Sequence, residues 1–270
     1  MKNNICRKIF SSFLSLVLVL TLGQVPVFAA EPSYDKTDLS SEKSATAMTA
    51  QEVKEELKNQ IEYYQSLRAR KTDIESQNKI DVLITATQNL LDSYEENSNE
   101  KTTNADSAKS GYDVAIAAVV AAFNKSGYRL SSELLTYMTV NKSPNTNYTP
   151  VNDDVMIGSP VLKKVWSNRF FEPDGSSNFP STGAIPGGAF DPNVKASDLY
   201  YSIHAFDFVT SYQLGNEYII LTDVYDYSEG SDYPSIAGVA IEVMYQAQQA
   251  GVLTPYHITI EIDPYDFDLA

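Results

Sequence analysis

The segment Pro234-Ser-Ile-Ala-Gly-Val-Ala-Ile-Glu-Val-Met-Tyr-Gln-Ala-Gln-Gln-Ala-Gly-Val-Leu-Thr-Pro-Tyr-His-Ile-Thr-Ile-Glu-Ile-Asp263 decides the fold. Its first half repeats apolar residues at helical spacing: Ile236, Val239, Ala240, Val243, Met244 and Ala247. Gly251 supplies a stop. Its second half alternates: Ile258, Ile260 and Ile262 fall on one side, with His257, Thr259 and Glu261 on the other. An amphipathic helix over Pro234–Ala250, packed on a half-buried strand over Thr254–Asp263, implies a layered α+β domain.

Upstream, Leu199–Val209 and Tyr218–Tyr227 are rich in aromatic and β-branched residues and flank Gly215-Asn216, which predicts a β-hairpin. The sheet is expected to be small and largely antiparallel, made of the hairpin plus the C-terminal strand and packed against helices on one face. Whether the last strand pairs antiparallel or parallel is left open. Asn141–Asn193 carries seven prolines and is expected to be irregular, with a short helix near Val161–Trp166 and with Trp166, Phe170, Phe171, Phe179 and Phe190 pinning it to the core.

Val114–Phe123 is unbroken apolar sequence, which as a helix requires burial on every side. At about 1.5 Å per residue it is too short to span a bilayer. Gly127 ends it, and Ser131 or Ser132 would cap the next helix, whose face is Leu134, Leu135 and Met138. Earlier still, Thr49 and Glu52 form a capping-box pair ahead of Val53, Leu57, Ile61, Tyr64 and Leu67. A second stripe runs through Ile80, Leu83, Ile84, Thr87, Leu90, Leu91 and Tyr94, with Thr72 and Glu75 as a cap between the two. One long helix or two antiparallel ones fit, and the narrow stripes call for a partner, which allows self-association through residues 49–96.

The N-terminus has the form of an export signal: Lys2, Arg7 and Lys8, an apolar run from Ile9 to Leu22, and small residues at Ala29 and Ala30. The resulting organisation is a signal over 1–30, a disordered linker over 31–48, a helical arm or hairpin over 49–96, a linker over 97–110, an α+β domain over 111–263 and an acidic tail over 264–270. A secreted or cell-surface location follows, with no integral membrane segment after signal cleavage.

Three of the 20 basic residues and none of the 35 acidic ones lie in the first thirty positions, so the remainder carries a formal −18. That balance disfavours nucleic acid and anionic polymers and permits cationic partners. The single cysteine, Cys6, lies in the signal, leaving a mature chain without disulfide or thiolate chemistry. No metal or other cofactor is expected, because no ligand spacing or EF-hand loop is present.

With a two-residue Gly215-Asn216 turn, His204 faces Tyr227, Phe206 faces Tyr225 and Phe208 faces Asp223. Asp207 and Asp226 then lie diagonally, at a spacing suited to paired carboxylates. Three functions follow as expectations. The first is a binding module for an extracellular protein or glycan, using Tyr200, Phe206, Phe208, Tyr225 and Tyr227 as an aromatic surface. The second is a hydrolase with His204 as base assisted by Asp223, or by Asp207 and Asp226. The third is an exported toxin or effector. Ser202 with His204 lacks the surround of a serine nucleophile. Asn124, Asn141 and Asn147 each open a glycan-acceptor sequon.

Overall fold

A computed structural model describes residues 48–99, 107–152, 182–184, 194–203, 205–213, 216–228 and 235–263. The expected signal, most of the 31–48 linker, the Val161–Trp166 helix with the aromatic residues around it, His204 and the acidic tail lie outside the described residues. The fold is α+β, in two compact units. One comprises residues 1–126 with 227–252, and the other residues 127–226 with 253–270.

The first unit is helical. Helix α1 (Ala50–Arg70) opens on the expected capping box: Thr49 Oγ1 accepts from Glu52 N–H at 3.2 Å, and Thr49 N–H donates to Glu52 Oε2 at 2.6 Å. It ends at Arg70, and helix α2 (Ile74–Asn99) follows as a separate rod. The break is capped by Asp73, whose Oδ1 accepts from Ser76 N–H at 2.7 Å, and not by Thr72. Arg68 bridges the turn to Asp81. The apolar stripes of both helices are buried, Val53, Leu57, Tyr64 and Leu67 on one and Ile80, Leu83, Leu90, Leu91 and Tyr94 on the other.

Helix α3 (Ser107–Lys125) packs against both, and helix α6 (Ser235–Gln249) packs against α3. Every residue of α3 from Ala115 to Phe123 is buried, as its all-round apolar sequence requires. The partner that the narrow stripes need is therefore α3, within the same chain. Asn124 on α3 donates to the Glu56 carbonyl at 3.0 Å and to Glu56 Oε2 at 2.8 Å. The segment 49–96 thus shares a unit with sequence assigned to the next domain. The expected 97–110 linker is helical at both ends, over 97–99 in α2 and 107–110 in α3. Tyr227 is held to α6 through two backbone contacts with the Gln248 amide.

The second unit carries the sheet. Helices α4 (Arg129–Val140) and α5 (Val194–Ser202) accompany five strands: β1 (Asn147–Tyr148), β2 (Thr182–Ala184), β3 (Ala205–Gln213), β4 (Asn216–Tyr225) and β5 (Tyr256–Ile262). Their order is β1-β5-β4-β3-β2. All pairs are antiparallel except the short β1–β5 pair. The C-terminal strand alternates buried and exposed along its length as expected, and it pairs antiparallel with β4.

Two sequence expectations fail here. Leu199–Val209 is not one strand: α5 runs through Ser202 and β3 begins at Ala205. Leu199, Tyr200 and Ile203 are buried apolar positions, a helical spacing that the aromatic content disguised. The hairpin closes with Gln213 opposite Asn216, so Asn216 belongs to β4 and Leu214-Gly215 is the connection. Asp207 then faces Thr222 and Phe208 faces Leu221. This is a slip of two residues from the expected pairing. Because side chains alternate with a period of two, a two-residue slip changes partners and preserves faces.

Candidate functional site

Two faces of the sheet differ sharply. Phe206, Phe208, Ile219, Leu221, Tyr225, Tyr256, Ile258, Ile260 and Ile262 form the buried face. Tyr256 Oη donates to the Leu134 carbonyl of α4 at 2.8 Å, and its ring meets Tyr137 edge-on at 5.0 Å. Tyr137 stacks on Tyr148 at 3.9 Å. The opposite face leaves Asp207, Thr222, Val224, His257 and Glu261 exposed and Thr259 half-buried. Val224, one residue from the end of β4, is 44 % exposed.

The five aromatic residues expected to bind ligand are all interior. Tyr200 sits in α5, Phe206, Phe208 and Tyr225 lie on the buried sheet face, and Tyr227 is beside α6; none is more than 8 % exposed. Burying a large aromatic ring is the stronger use of its surface. The ring of Tyr225 sits 5.6 Å from that of Tyr256, and Tyr200 meets Tyr201 edge-on at 5.2 Å. In the structure these five rings are part of the core rather than of an exposed surface.

The carboxylates are placed as follows. Asp207 is exposed on the open face opposite Thr222. Asp226 is also exposed, four residues past Thr222 and beyond the end of β4, roughly 13 Å of extended chain away. The register slip thus removes the diagonal pairing of Asp207 with Asp226. Asp223 lies on the buried-face side between Leu221 and Tyr225, paired with Ile258 on β5. One step along the same register brings it opposite Phe206. Burial pushes its carboxyl up to about 7, with smaller upward contributions from the charges of Asp226 and Asp207. Its Oδ1 accepts from Val224 N–H at 2.7 Å, which pulls the other way. Asp226 is raised as well, by the partial desolvation of a side chain that still reaches solvent.

Sequence inspection missed two buried carboxylates. Glu133 of α4 is fully buried and accepts four hydrogen bonds: from Tyr148 Oη at 2.6 Å, Val151 N–H at 2.6 Å, Asn152 N–H at 2.9 Å and Asn152 Nδ2 at 2.7 Å. Burial raises it to about 7 against the pull of those bonds. Asp198 of α5 accepts from Leu130 N–H at 2.9 Å, Ser131 N–H at 2.8 Å and Ser131 Oγ at 2.6 Å. It caps α4 from a distant part of the chain, in place of the expected serine cap, and Ser131 and Ser132 are buried inside the helix. The signal for both was a charged residue at an apolar-face position, Glu133 beside Leu134 and Asp198 beside Leu199. Both are saturated by internal donors, so their role is to tie segments together.

Among the described residues no group of three His, Cys, Asp or Glu side chains is placed to hold a metal ion, and no helix is long and apolar enough to cross a membrane. Of the three sequon asparagines, Asn124 and Asn141 are buried and their amide nitrogens are committed, Asn141 to the carbonyls of Ser143, Thr254 and Pro255. Asn147 alone of the three is exposed. No family model, curated protein or solved structure matches the chain.

Proposed function

We propose that this chain is a secreted or cell-surface binding protein whose contact surface is the open face of the β3–β4–β5 sheet. The observation that carries this reading is the exposure of Asp207, Thr222, Val224, His257 and Glu261 on one continuous strand face, opposite a largely apolar buried face. An antiparallel sheet with one solvated face needs only polar residues there. Val224, exposed near the end of β4, adds a small apolar contact to that polar face. The leader-like N-terminus supports an extracellular setting for it.

The test combines export with binding. Full-length protein produced in a secreting host is expected to lose its first thirty or so residues, read by mass spectrometry of the product. Labelled protein is then screened on arrays of extracellular proteins and glycans beside Val224→Arg, which keeps the fold because the side chain is exposed. A ligand whose affinity falls at least tenfold in Val224→Arg supports the assignment. An uncleaved intracellular product, or ligands held equally by both proteins, overturns it.

A hydrolase is the second reading, favoured by Asp223. A carboxyl raised to about 7 among Phe206, Leu221 and Ile258 has the character of a general acid. Activity on a glycoside or ester panel that vanishes in Asp223→Asn, and that declines above pH 7 in the wild type, would replace the binding assignment.

A further inference from the structure

The open sheet face has charges of one sign only. From Ala196 to Ala270 the chain contains twelve Asp and Glu and not one Lys or Arg. All 20 basic residues precede this stretch. β3, β4 and β5 therefore carry Asp207, Glu217, Asp223 and Glu261 with no basic partner in their own sequence, and of these Asp207 and Glu261 lie on the open face. Ion pairs between described residues include Lys54–Glu95, Arg68–Asp81, Lys79–Glu75 and Lys125–Glu52, all in the helical unit. Asp207, Asp226 and Glu261 are exposed and take part in none of them.

An acidic protein that needs only solubility intersperses both signs, as the helical unit does. Here the three long strands hold acidic residues alone, which among the described residues leaves a negative field on the sheet. That field is felt inside the fold: Asp207 and Asp226 each disfavour ionisation of Asp223. A low-dielectric core directly beneath the strands concentrates it on the solvent side.

We propose that this face docks a lysine- and arginine-rich segment of another protein. The proposal rests on the binding assignment above and names its partner chemistry. Val224 and the methyl group of Thr222 offer apolar contact for the aliphatic stems of such side chains, with Asp207 and Glu261 to meet their charged ends. A second copy is disfavoured, since apposing two such faces sets carboxylate against carboxylate in a chain of net −15. A divalent cation lacks its three-ligand cluster among the described residues. A glycan would call for exposed aromatic rings, and those weighed for that role are in the core.

The experiment uses the full chain and a twelve-residue peptide of alternating Lys-Arg and Ser, with a counterpart of equal length in which citrulline and acetyl-lysine remove the charge. Affinity is measured by fluorescence anisotropy at low and at physiological salt. Asp207→Asn with Glu261→Gln removes two charges from the sheet face. Glu55→Gln with Glu62→Gln removes two from the exposed side of α1 and leaves the net charge of the two variants equal.

Exposed charge pairs contribute about threefold each, so the sheet variant is expected to bind the basic peptide about tenfold more weakly and the α1 variant no more than about twofold. Binding should weaken with salt, and the neutral peptide should not bind. Equal losses in both variants would reduce the effect to overall charge and overturn the proposal, as would equal binding of the neutral peptide. If the basic peptide fails to bind while an array ligand remains sensitive to Val224→Arg, the partner chemistry is wrong and the docking face stands. If neither responds, both fall.

Discussion

Glu133→Gln sets burial against hydrogen bonding at one interior carboxyl. Burial lifts Glu133 from 4.5 to about 7, while Tyr148, Val151 and Asn152 donate four hydrogen bonds that favour the ionised form. A group whose folded value is raised stabilises the fold fully below its unfolded value and loses that contribution as pH rises through the folded one. The window here is pH 4.5 to 7, and at about 1.4 kcal/mol per unit the loss approaches ~3 kcal/mol. Protonated Glu133 keeps every partner if the Tyr148 hydroxyl reverses and accepts. Glutamine can donate to Tyr148 Oη in the same way, but its amide then meets the Val151 N–H, leaving one buried donor unmet at a cost of about 1–3 kcal/mol. The variant is therefore expected to be less stable than wild type at pH 5 by about that amount. Because the substituted amide cannot ionise, the gap closes or changes sign by pH 8. Urea denaturation followed by circular dichroism at both pH values gives the gap, and hydrogen exchange at the amides of Val151 and Asn152 reports it locally. A gap that stays constant or widens toward pH 8 would refute the reasoning, because it would mean that the four donors outweigh burial and keep the carboxylate charged throughout.

Asp198→Ala strips the acceptors from the Leu130 and Ser131 amides at the start of α4, and a loss of about 2–4 kcal/mol is expected in urea denaturation, with Asp198→Asn intermediate. Thr49→Ala removes one half of the α1 capping box and should cost about 1 kcal/mol by the same assay. The Thr49 backbone N–H, with help from Lys125, holds Glu52 down to about 2, so this cap contributes above pH 4.5 and fades as pH falls toward 2; helicity in an acid titration should drop over that range in wild type and less in Glu52→Gln. Gly251 has φ of +72° and open space where a Cβ would stand, so Gly251→Ala should cost about 1 kcal/mol from backbone strain alone, measured as a lowered thermal midpoint.

The helices were legible because their signals are local. Thr49 and Glu52 cap each other three residues apart, and the stripes of α1 and α2 need only the helical period to be recognised. The α+β class and the face pattern of β5 were legible on the same grounds, since alternation at Ile258, Ile260 and Ile262 is a property of the strand itself. What depends on distant sequence was not legible. Asp198 caps a helix that begins 69 positions earlier, so nothing in the residues around Arg129 announces it. The strand assignment at Leu199 failed for a related reason. Tyr200, Tyr201 and Ile203 have strand propensity, but contacts with α4 make the segment helical, and tertiary packing overrides a weak local preference.

The hairpin shows how a near-correct reading of sequence can preserve one conclusion and destroy another. Moving the turn from Gly215-Asn216 to Leu214-Gly215 shifts each partner by two, so Phe206, Phe208, Asp223 and Tyr225 stay on a common face in either register. What the shift cannot preserve is proximity. Asp207 exchanges Val224 for Thr222 as its partner, and Asp226 recedes past the end of the strand. A carboxylate pair of the kind needed for glycoside hydrolysis tolerates only a few ångströms of error, whereas the sorting of a strand into an apolar and a polar face tolerates any even slip. The core and the open surface therefore survive uncertainty in the turn, and a two-residue catalytic geometry does not. For the same reason the binding assignment is carried by a whole face of the sheet, where Asp207, Thr222, Val224, His257 and Glu261 remain together under either pairing.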